Sequence, residues 1–209
     1  IANSSEPWRF PKASDIKEIQ VKFAKHDESN GEFLPYKRNE ELVREWAIPG
    51  TAGLAHRIGG LEKEANTGNV SYAPANHEYM VKIREAKIEK IADRLPPLAL
   101  EAGPEEGDLL ILGWGSTYGA IQSVTQIMLA QGKTVAHAHL RHIKPFPKNL
   151  ETLLNNYKHV LIPEINGGQL SKLIRDQFLV DVKQYNKIQG MPISKAELEH
   201  EVLQILENN

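Results

Sequence analysis

From Gly107 onward the chain alternates short aliphatic runs with helical periods, and nearly every switch is marked by glycine or proline. Residues 109–112 form an apolar run of strand length, and Gly113-Trp114-Gly115-Ser116-Thr117-Tyr118-Gly119 follows it. An apolar helix then reaches about Ala130, and Gly132 ends it as a C-terminal glycine. Residues 134–140 read as a second strand, and Pro145-Phe146-Pro147 leads into a helix over 150–157. A third strand at 159–163, a third helix at 169–180 and a fourth strand at 185–189 complete the alternation. Ser194-Lys195-Ala196-Glu197 is a capping box opening a last helix that ends near Leu206. Strand–helix–strand spacing of this kind predicts an α/β domain over 98–209. Its form is three-layer αβα: a mainly parallel sheet, helices on both faces and right-handed connections.

The first 75 residues behave differently. Pro7, Pro11, Gly31, Pro35, Pro49-Gly50, Gly53, Gly59-Gly60, Gly68 and Pro74 interrupt any sustained period. Yet Trp8, Phe10, Phe23, Phe33, Tyr36 and Trp46 recur through the stretch, whereas disordered segments are poor in aromatics. This pattern predicts a long irregular connector, 1–75, that lies on another surface and inserts aromatics into it. A linking helix over 76–97 follows, with Asn76 as N-cap, one arc of Met80, Ile83, Ile88, Ile91 and Leu95, and a stop at Pro96-Pro97.

The 25 Lys+Arg against 27 Asp+Glu leave a formal charge of −2, without the basic surplus of a nucleic-acid binder. No apolar run approaches the roughly 20 residues that span a bilayer, so no membrane role is expected. Ser4, Glu6 and Arg9 break any signal-like start, and the expected location is cytoplasmic. Zero cysteines exclude a disulfide framework, a Cys-ligated zinc site and an iron–sulfur cluster ligated from within the 209 residues. The chain opens on Ile1 and reads as the carboxy-terminal piece of something longer.

Chemistry, where the residues allow it, falls at the strand ends. Gly113 and Gly115 permit a tight turn before a helix N-terminus, and Ser116 or Thr117 is the expected cap. A dinucleotide fingerprint needs its third glycine one place earlier and an acidic residue near the second strand's end. Here that strand offers His137, His139 and Arg141 instead, so an independent nucleotide-binding domain built on Gly113–Gly119 stays as the alternative. His137 and His139 share a strand face with His142 just beyond, which admits a metal site but points first to polar residues at a sheet end. Arg141 and Lys144 make that end basic, and Glu164 is the acid placed to meet Arg141. No nucleophile–base pair, nucleophile elbow or Walker lysine is present.

Taken in order, several motifs resemble the alpha subunit of 2-oxoacid:ferredoxin oxidoreductases, especially the 2-oxoglutarate type. They begin with Ile1-Ala2-Asn3-Ser4-Ser5-Glu6-Pro7-Trp8-Arg9, Trp46-Ala47-Ile48-Pro49-Gly50-Thr51 and Gly53-Leu54-Ala55-His56-Arg57-Ile58-Gly59-Gly60-Leu61-Glu62-Lys63-Glu64. Thr67-Gly68-Asn69-Val70-Ser71, Leu112 through Gly119, and His137-Ala138-His139-Leu140-Arg141 follow. The series ends with Pro145-Phe146-Pro147, Ile162-Pro163-Glu164-Ile165-Asn166, Gly168-Gln169-Leu170 and Lys187-Ile188-Gln189-Gly190. Ala55 departs from the family, which often carries an acidic residue there.

The resemblance implies a domain like the C-terminal domain of transketolase, preceded by the connector. The enzyme it implies oxidatively decarboxylates a 2-oxoacid to an acyl-CoA and reduces ferredoxin. That enzyme uses thiamine diphosphate, Mg2+ and an iron–sulfur cluster carried by a beta subunit, with coenzyme A as substrate. None of these cofactors is expected to bind this chain alone. The partners implied are the beta subunit and, through the complex, ferredoxin; the isolated chain is expected to be inactive, with no catalytic residue of its own. Gly113, Gly115, Ser116, Thr117, His139 and Arg141 are the candidate ligand or interface residues.

Overall fold

Five strands carry the α/β unit: β1 (Leu100–Ala102), β2 (Gly107–Trp114), β3 (Val135–Leu140), β4 (Tyr157–Glu164) and β5 (Val182–Asn186). The computed structural model describes residues 10–25, 31–57 and 59–207. The strand order is β1-β3-β2-β4-β5, with β2–β3, β2–β4 and β4–β5 parallel and only β1–β3 antiparallel. Four helices accompany them, α2 (Tyr118–Ala130), α3 (Leu150–Asn155), α4 (Gln169–Phe178) and α5 (Lys195–Glu207), after α1 (Pro74–Glu89) earlier in the chain.

Period-two alternation in β2 creates two cores. Leu110 and Leu112 point into one, with Ala136, Ala138, Val160 and Ile162 from the neighbouring strands, Leu150 and Leu154 of α3, and Leu170 and Ile174 of α4. Leu109 and Ile111 point into the other, with Ile121, Val124 and Met128 of α2 and Leu198 and Val202 of α5. The central strands are covered on both sides, which is why β2 reads as an unbroken apolar run and not as alternation. The predicted three-layer arrangement is therefore the observed one.

Boundaries differ where the burial pattern is weak. The antiparallel edge strand β1 was not expected; at three residues between Pro97 and Gly103 it has no readable period. The fourth parallel strand lies at Val182–Asn186 and not at 185–189, because only Val182 of it is buried and its register comes from pairing with Val160. α3 ends at Asn155, since Tyr157 already begins β4 and donates its hydroxyl to the Pro104 carbonyl at 2.6 Å. The capping box of α5 forms: Glu197 N–H reaches Ser194 Oγ at 3.3 Å, and Glu197 Oε2 accepts from Ser194 N–H at 2.8 Å. Glu197 also accepts from Lys187 Nζ at 2.8 Å, and this partner above all holds its carboxyl down at about 2.

The chain divides into two compact units, Pro11–Arg94 and one that takes in Leu95–Asn209. The first has little regular structure besides α1 and a 3-10 turn at Ala13–Asp15. Isolated bridges join Phe23 to Trp46, Arg38 to Arg44 and Lys63 to Val70. α1 starts at Pro74, a favoured first helical residue, and becomes 3-10 over Lys90–Arg94. Asn76 is therefore not the N-cap. Its Nδ2 donates to the Lys63 carbonyl at 2.8 Å and its Oδ1 accepts from Ala65 N–H at 3.1 Å, tying the helix to the preceding loop. Arg38 donates to the Tyr36 and Ala65 carbonyls, each at 3.1 Å, and fastens the same loop. Gly68 sits at φ 71° under the Tyr36 ring, where an added Cβ would come within 2.6 Å of Cδ2.

The aromatics of this unit split. Tyr36 and Phe33 are half-buried within it, Phe33 edge-on to His56 with centroids 5.4 Å apart. Trp46 is 62% exposed, and Phe23 is also exposed, as is Phe10 of the other unit. Trp8 and the 1–9 motif lie outside the described residues. No helix among the described residues is long and apolar enough to cross a membrane.

Candidate functional site

Glu164 ends β4 and is only 1% exposed. Among the described residues no cation faces it. Its Oε1 accepts from Leu170 N–H at 2.9 Å and Trp114 Nε1–H at 3.3 Å. Its Oε2 accepts from Ser171 N–H at 3.1 Å and Ser171 Oγ–H at 2.9 Å. Leu170 and Ser171 lie in the first turn of α4, so the carboxylate satisfies two unpaired amides at the positive end of the helix. Trp114 reaches it because β2 and β4 are parallel neighbours, with Ile111 opposite Leu161. The expected Arg141–Glu164 pairing is not the one that forms, since Glu164 is fully engaged by α4 and Trp114.

Arg141 instead donates to Glu101 Oε1 on β1 at 3.4 Å. The other oxygen of Glu101 accepts from the Tyr118 hydroxyl at 2.9 Å. The antiparallel edge strand thus supplies the acid that sequence spacing assigned to β4. Arg141 stays 68% exposed, so this ion pair orients a side chain more than it stabilises the fold.

Beneath Tyr118 lies a pair of buried imidazoles. His137 is fully buried and His139 is 5% exposed, and the Tyr118 ring centroid is 5.1 Å from one and 5.0 Å from the other. His137 Nδ1 meets Gln122 Oε1 at 2.9 Å and His139 Nε2 meets the Gly115 carbonyl at 3.1 Å. Both partners are acceptors, which assigns a proton to each of those two nitrogens. His137 Nε2 and His139 Nδ1 are 3.5 Å apart. Burial first, and the neighbouring His139 second, push His137 down to about 3, so it is neutral at pH 7. No group of three or more His, Cys, Asp or Glu able to hold a metal occurs among the described residues, so His142 does not complete a site with this pair.

Gly113 of the glycine loop is packed, whereas Gly115 is exposed with open space beside it. An added Cβ on Gly113 would meet Ile121 Cδ1 at 2.4 Å and His139 Nδ1 at 2.7 Å, so the absence of a side chain there serves helix and histidine packing. Gly115 takes φ 59° and turns its carbonyl toward His139. Ser116 and Thr117 form a 3-10 turn with Gly115, and Thr117, at the N-cap position of α2, makes no side-chain cap bond. Thr117 Oγ1 instead donates back to the Trp114 carbonyl at 2.9 Å and accepts Trp114 N–H at 3.3 Å, pinning the end of β2. With Gly113 filled by Ile121 and His139, and no acidic residue at the end of β3, the loop does not favour a nucleotide at Gly113–Gly119.

The structure gathers Gly113, Gly115, Thr117 and His139 around one strand end, with Arg141 on its exposed rim. Gln122, Tyr118 and Glu101 complete the cluster and were not singled out from sequence. Gln122 carried little signal, because Ser123, Thr125 and Gln126 on the same helix are polar too. The chemistry these contacts offer is orientation and docking. The donor set does not suit an iron–sulfur cluster, for the chain has no cysteine, nor Mg2+, for no described cluster of acids converges.

No protein-family model matches the chain. It is 45% identical over 199 residues to the 2-oxoglutarate oxidoreductase subunit KorA of Mycobacterium tuberculosis, covering 95% of this chain and 30% of that protein. It is 28% identical to the alpha subunit of 2-oxoacid:ferredoxin oxidoreductase 1 of Aeropyrum pernix, covering 100% of this chain and 33% of that one. A solved 2-oxoglutarate:ferredoxin oxidoreductase from Magnetococcus marinus, with 2-oxoglutarate, coenzyme A and succinyl-CoA bound, superposes with TM-score 0.83 at 29% identity. That match covers 94% of this chain and 34% of the solved one. The chain thus spans about a third of the length of the relatives it matches. By sequence along nearly its whole length and by fold, it is a homologue of the carboxy-terminal portion of the alpha subunit of 2-oxoacid:ferredoxin oxidoreductases.

Proposed function

We propose that this chain is the structural and subunit-docking part of an enzyme that oxidatively decarboxylates a 2-oxoacid, 2-oxoglutarate foremost, to an acyl-CoA while reducing ferredoxin. The observation that carries the reading is the 45% identity over 199 residues to a 2-oxoglutarate oxidoreductase subunit. Thiamine diphosphate, Mg2+ and the iron–sulfur cluster belong, on this reading, to other parts of a cytoplasmic complex, the cluster to a beta subunit. The chain's own contribution is a rigid α/β unit and an irregular unit with exposed Phe23 and Trp46, the kind of apolar side chains that interfaces cover. Within the α/β unit, the strand end with exposed Gly115 and Arg141 and half-buried Ser116 is the edge that meets the beta subunit or coenzyme A. Gly113, Thr117 and His139 hold that edge in place from behind.

The test is reconstitution of the intact alpha subunit with a beta subunit. Ferredoxin reduction that requires both 2-oxoglutarate and coenzyme A is the expected result, with no turnover by the 209-residue chain alone. Turnover of a 2-oxoacid by the isolated chain, or stoichiometric thiamine diphosphate bound to it, overturns the reading.

A further inference from the structure

Between the 3-10 turn at Ala13–Asp15 and the bridge at Phe23, residues 16–22 run without a helix, turn or bend, and all of them are exposed. Among the described residues, no backbone amide or carbonyl of 17–21 is hydrogen-bonded. The stretch is an open strand edge, which folded proteins normally cover, or blunt with proline or a bulge. Its side chains alternate, with Lys17, Ile19, Val21 and Phe23 on one face and Glu18, Gln20 and Lys22 on the other. Ala24 N–H donates to the Trp46 carbonyl at 2.8 Å. Backbone groups of the even-numbered residues therefore point toward Trp46, and those of the odd-numbered residues point to the opposite, unoccupied edge.

The order of charges along this edge decides which strand fits it. Laid antiparallel on itself about Gln20, the segment sets Ile19 opposite Val21, Lys17 opposite Phe23 and Glu18 opposite Lys22, each twice by symmetry. Ile19 and Val21, whose amides face the open edge, then fall at hydrogen-bonded positions. Glu18 and Lys22 fall at the other positions, where facing side chains stand closest. Opposite charges are thus brought together at two sites, and Ile19, Val21 and Phe23 of both copies form one apolar stripe beside Trp46. A parallel, in-register pairing would instead set Glu18 against Glu18 and Lys22 against Lys22. An antiparallel slip of one residue would turn the apolar face of one strand onto the polar face of the other.

We propose that residues 17–23 pair antiparallel with the same segment of a second copy of this chain, about a two-fold axis at Gln20. Free amides alone would accept many strands, but the same segment reversed carries both the matching charges and the matching apolar face. The contact is isologous and closes as a dimer.

Sedimentation velocity of the full chain over a concentration series tests this. A reversible monomer–dimer equilibrium is expected, and Val21→Pro abolishes it by removing an amide that faces the second copy. Glu18→Lys and Lys22→Glu, each alone, weaken dimerisation about tenfold, because attraction becomes repulsion at two sites. An equimolar mixture of those two variants restores it as a heterodimer, and so does the double variant Glu18→Lys/Lys22→Glu with itself. All three positions are exposed, so these variants keep the fold. A wild type that stays monomeric at every concentration overturns the proposal. So does a dimer that survives Val21→Pro, one indifferent to the single reversals, or one that the mixture does not restore. Amides of 17–23 protected from hydrogen exchange in a monomeric intact alpha subunit would give the edge to another part of that subunit, and overturn it too. The ferredoxin-linked reading above stands on sequence identity and is untouched by any of these results.

Discussion

Glu164 Oε2 and Ser171 Oγ lie 2.9 Å apart, and through that contact one carboxylate finishes β4 and begins α4. Its other oxygen holds the Trp114 indole from β2, so three elements meet on a single buried anion. Removing it leaves two helix amides, a hydroxyl and an indole N–H without an acceptor. Glu164→Ala is expected to cost about 3 kcal/mol or more, and Glu164→Gln about 1–2 kcal/mol, since one acceptor oxygen remains. Urea unfolding midpoints measure both; equal, small losses would show that water replaces the carboxylate.

His137 makes the α/β unit sensitive to acid. Its folded pKa is depressed to about 3 from 6.5, so between those values the unfolded chain binds the extra proton. Stability is therefore full above about pH 6.5 and falls as pH drops, by up to about 1.4 kcal/mol per unit, until near pH 3. Glu197, whose carboxyl is also lowered, acts in the same direction. The informative quantity is the difference between wild type and His137→Gln in denaturant melts from pH 7 to 4. A pH dependence identical in both would remove His137 from this account.

Gly113→Ala is expected to destabilise by about 2 kcal/mol, the range for overpacking a filled core. The new methyl would face Ile121 Cδ1 at 2.4 Å. Ile121→Val removes that atom, and the double variant should recover part of the loss. Thermal unfolding of the two single variants and the pair gives the coupling directly; strict additivity contradicts the contact.

Arg141→Ala should change stability by no more than about 0.5 kcal/mol, because the Glu101 pair is largely solvent-exposed. In the reconstituted enzyme the same substitution is expected to weaken subunit affinity or raise the KM for coenzyme A. Unchanged values of both would take Arg141 out of the docking edge.

Phe23 and Trp46 are bridged neighbours and both exposed, so the isolated chain is expected to self-associate weakly as its concentration rises. Sedimentation velocity should show this, and Trp46→Glu should suppress it. A strictly monomeric wild type at high concentration argues that these side chains are covered by nothing.

The strand at the centre of the sheet was legible because burial on both faces leaves an unbroken aliphatic signature, as at Leu109 through Leu112. Ser194 and Glu197 were legible for another reason: a capping box is a contact between residues three apart, so the sequence contains the whole interaction. The aromatics of the first unit were half-readable. Their number ruled out disorder, yet nothing local distinguished Tyr36, packed on Gly68, from Trp46, left outside.

Partner choice among charged groups was decided elsewhere. Arg141 joins Glu101, 40 positions away, because an unpredicted antiparallel strand brings that acid to the sheet edge. Glu164 turns to α4 because the chain folds straight back over the strand it has just left. Lys63 sits where Asn76 donates one hydrogen bond to its carbonyl, in a segment with no period to read. Periodicity and capping act over a few residues and are written in the chain itself. The pairing of distant charges depends on which surfaces the packed elements bring together, and that exists only once the molecule has folded.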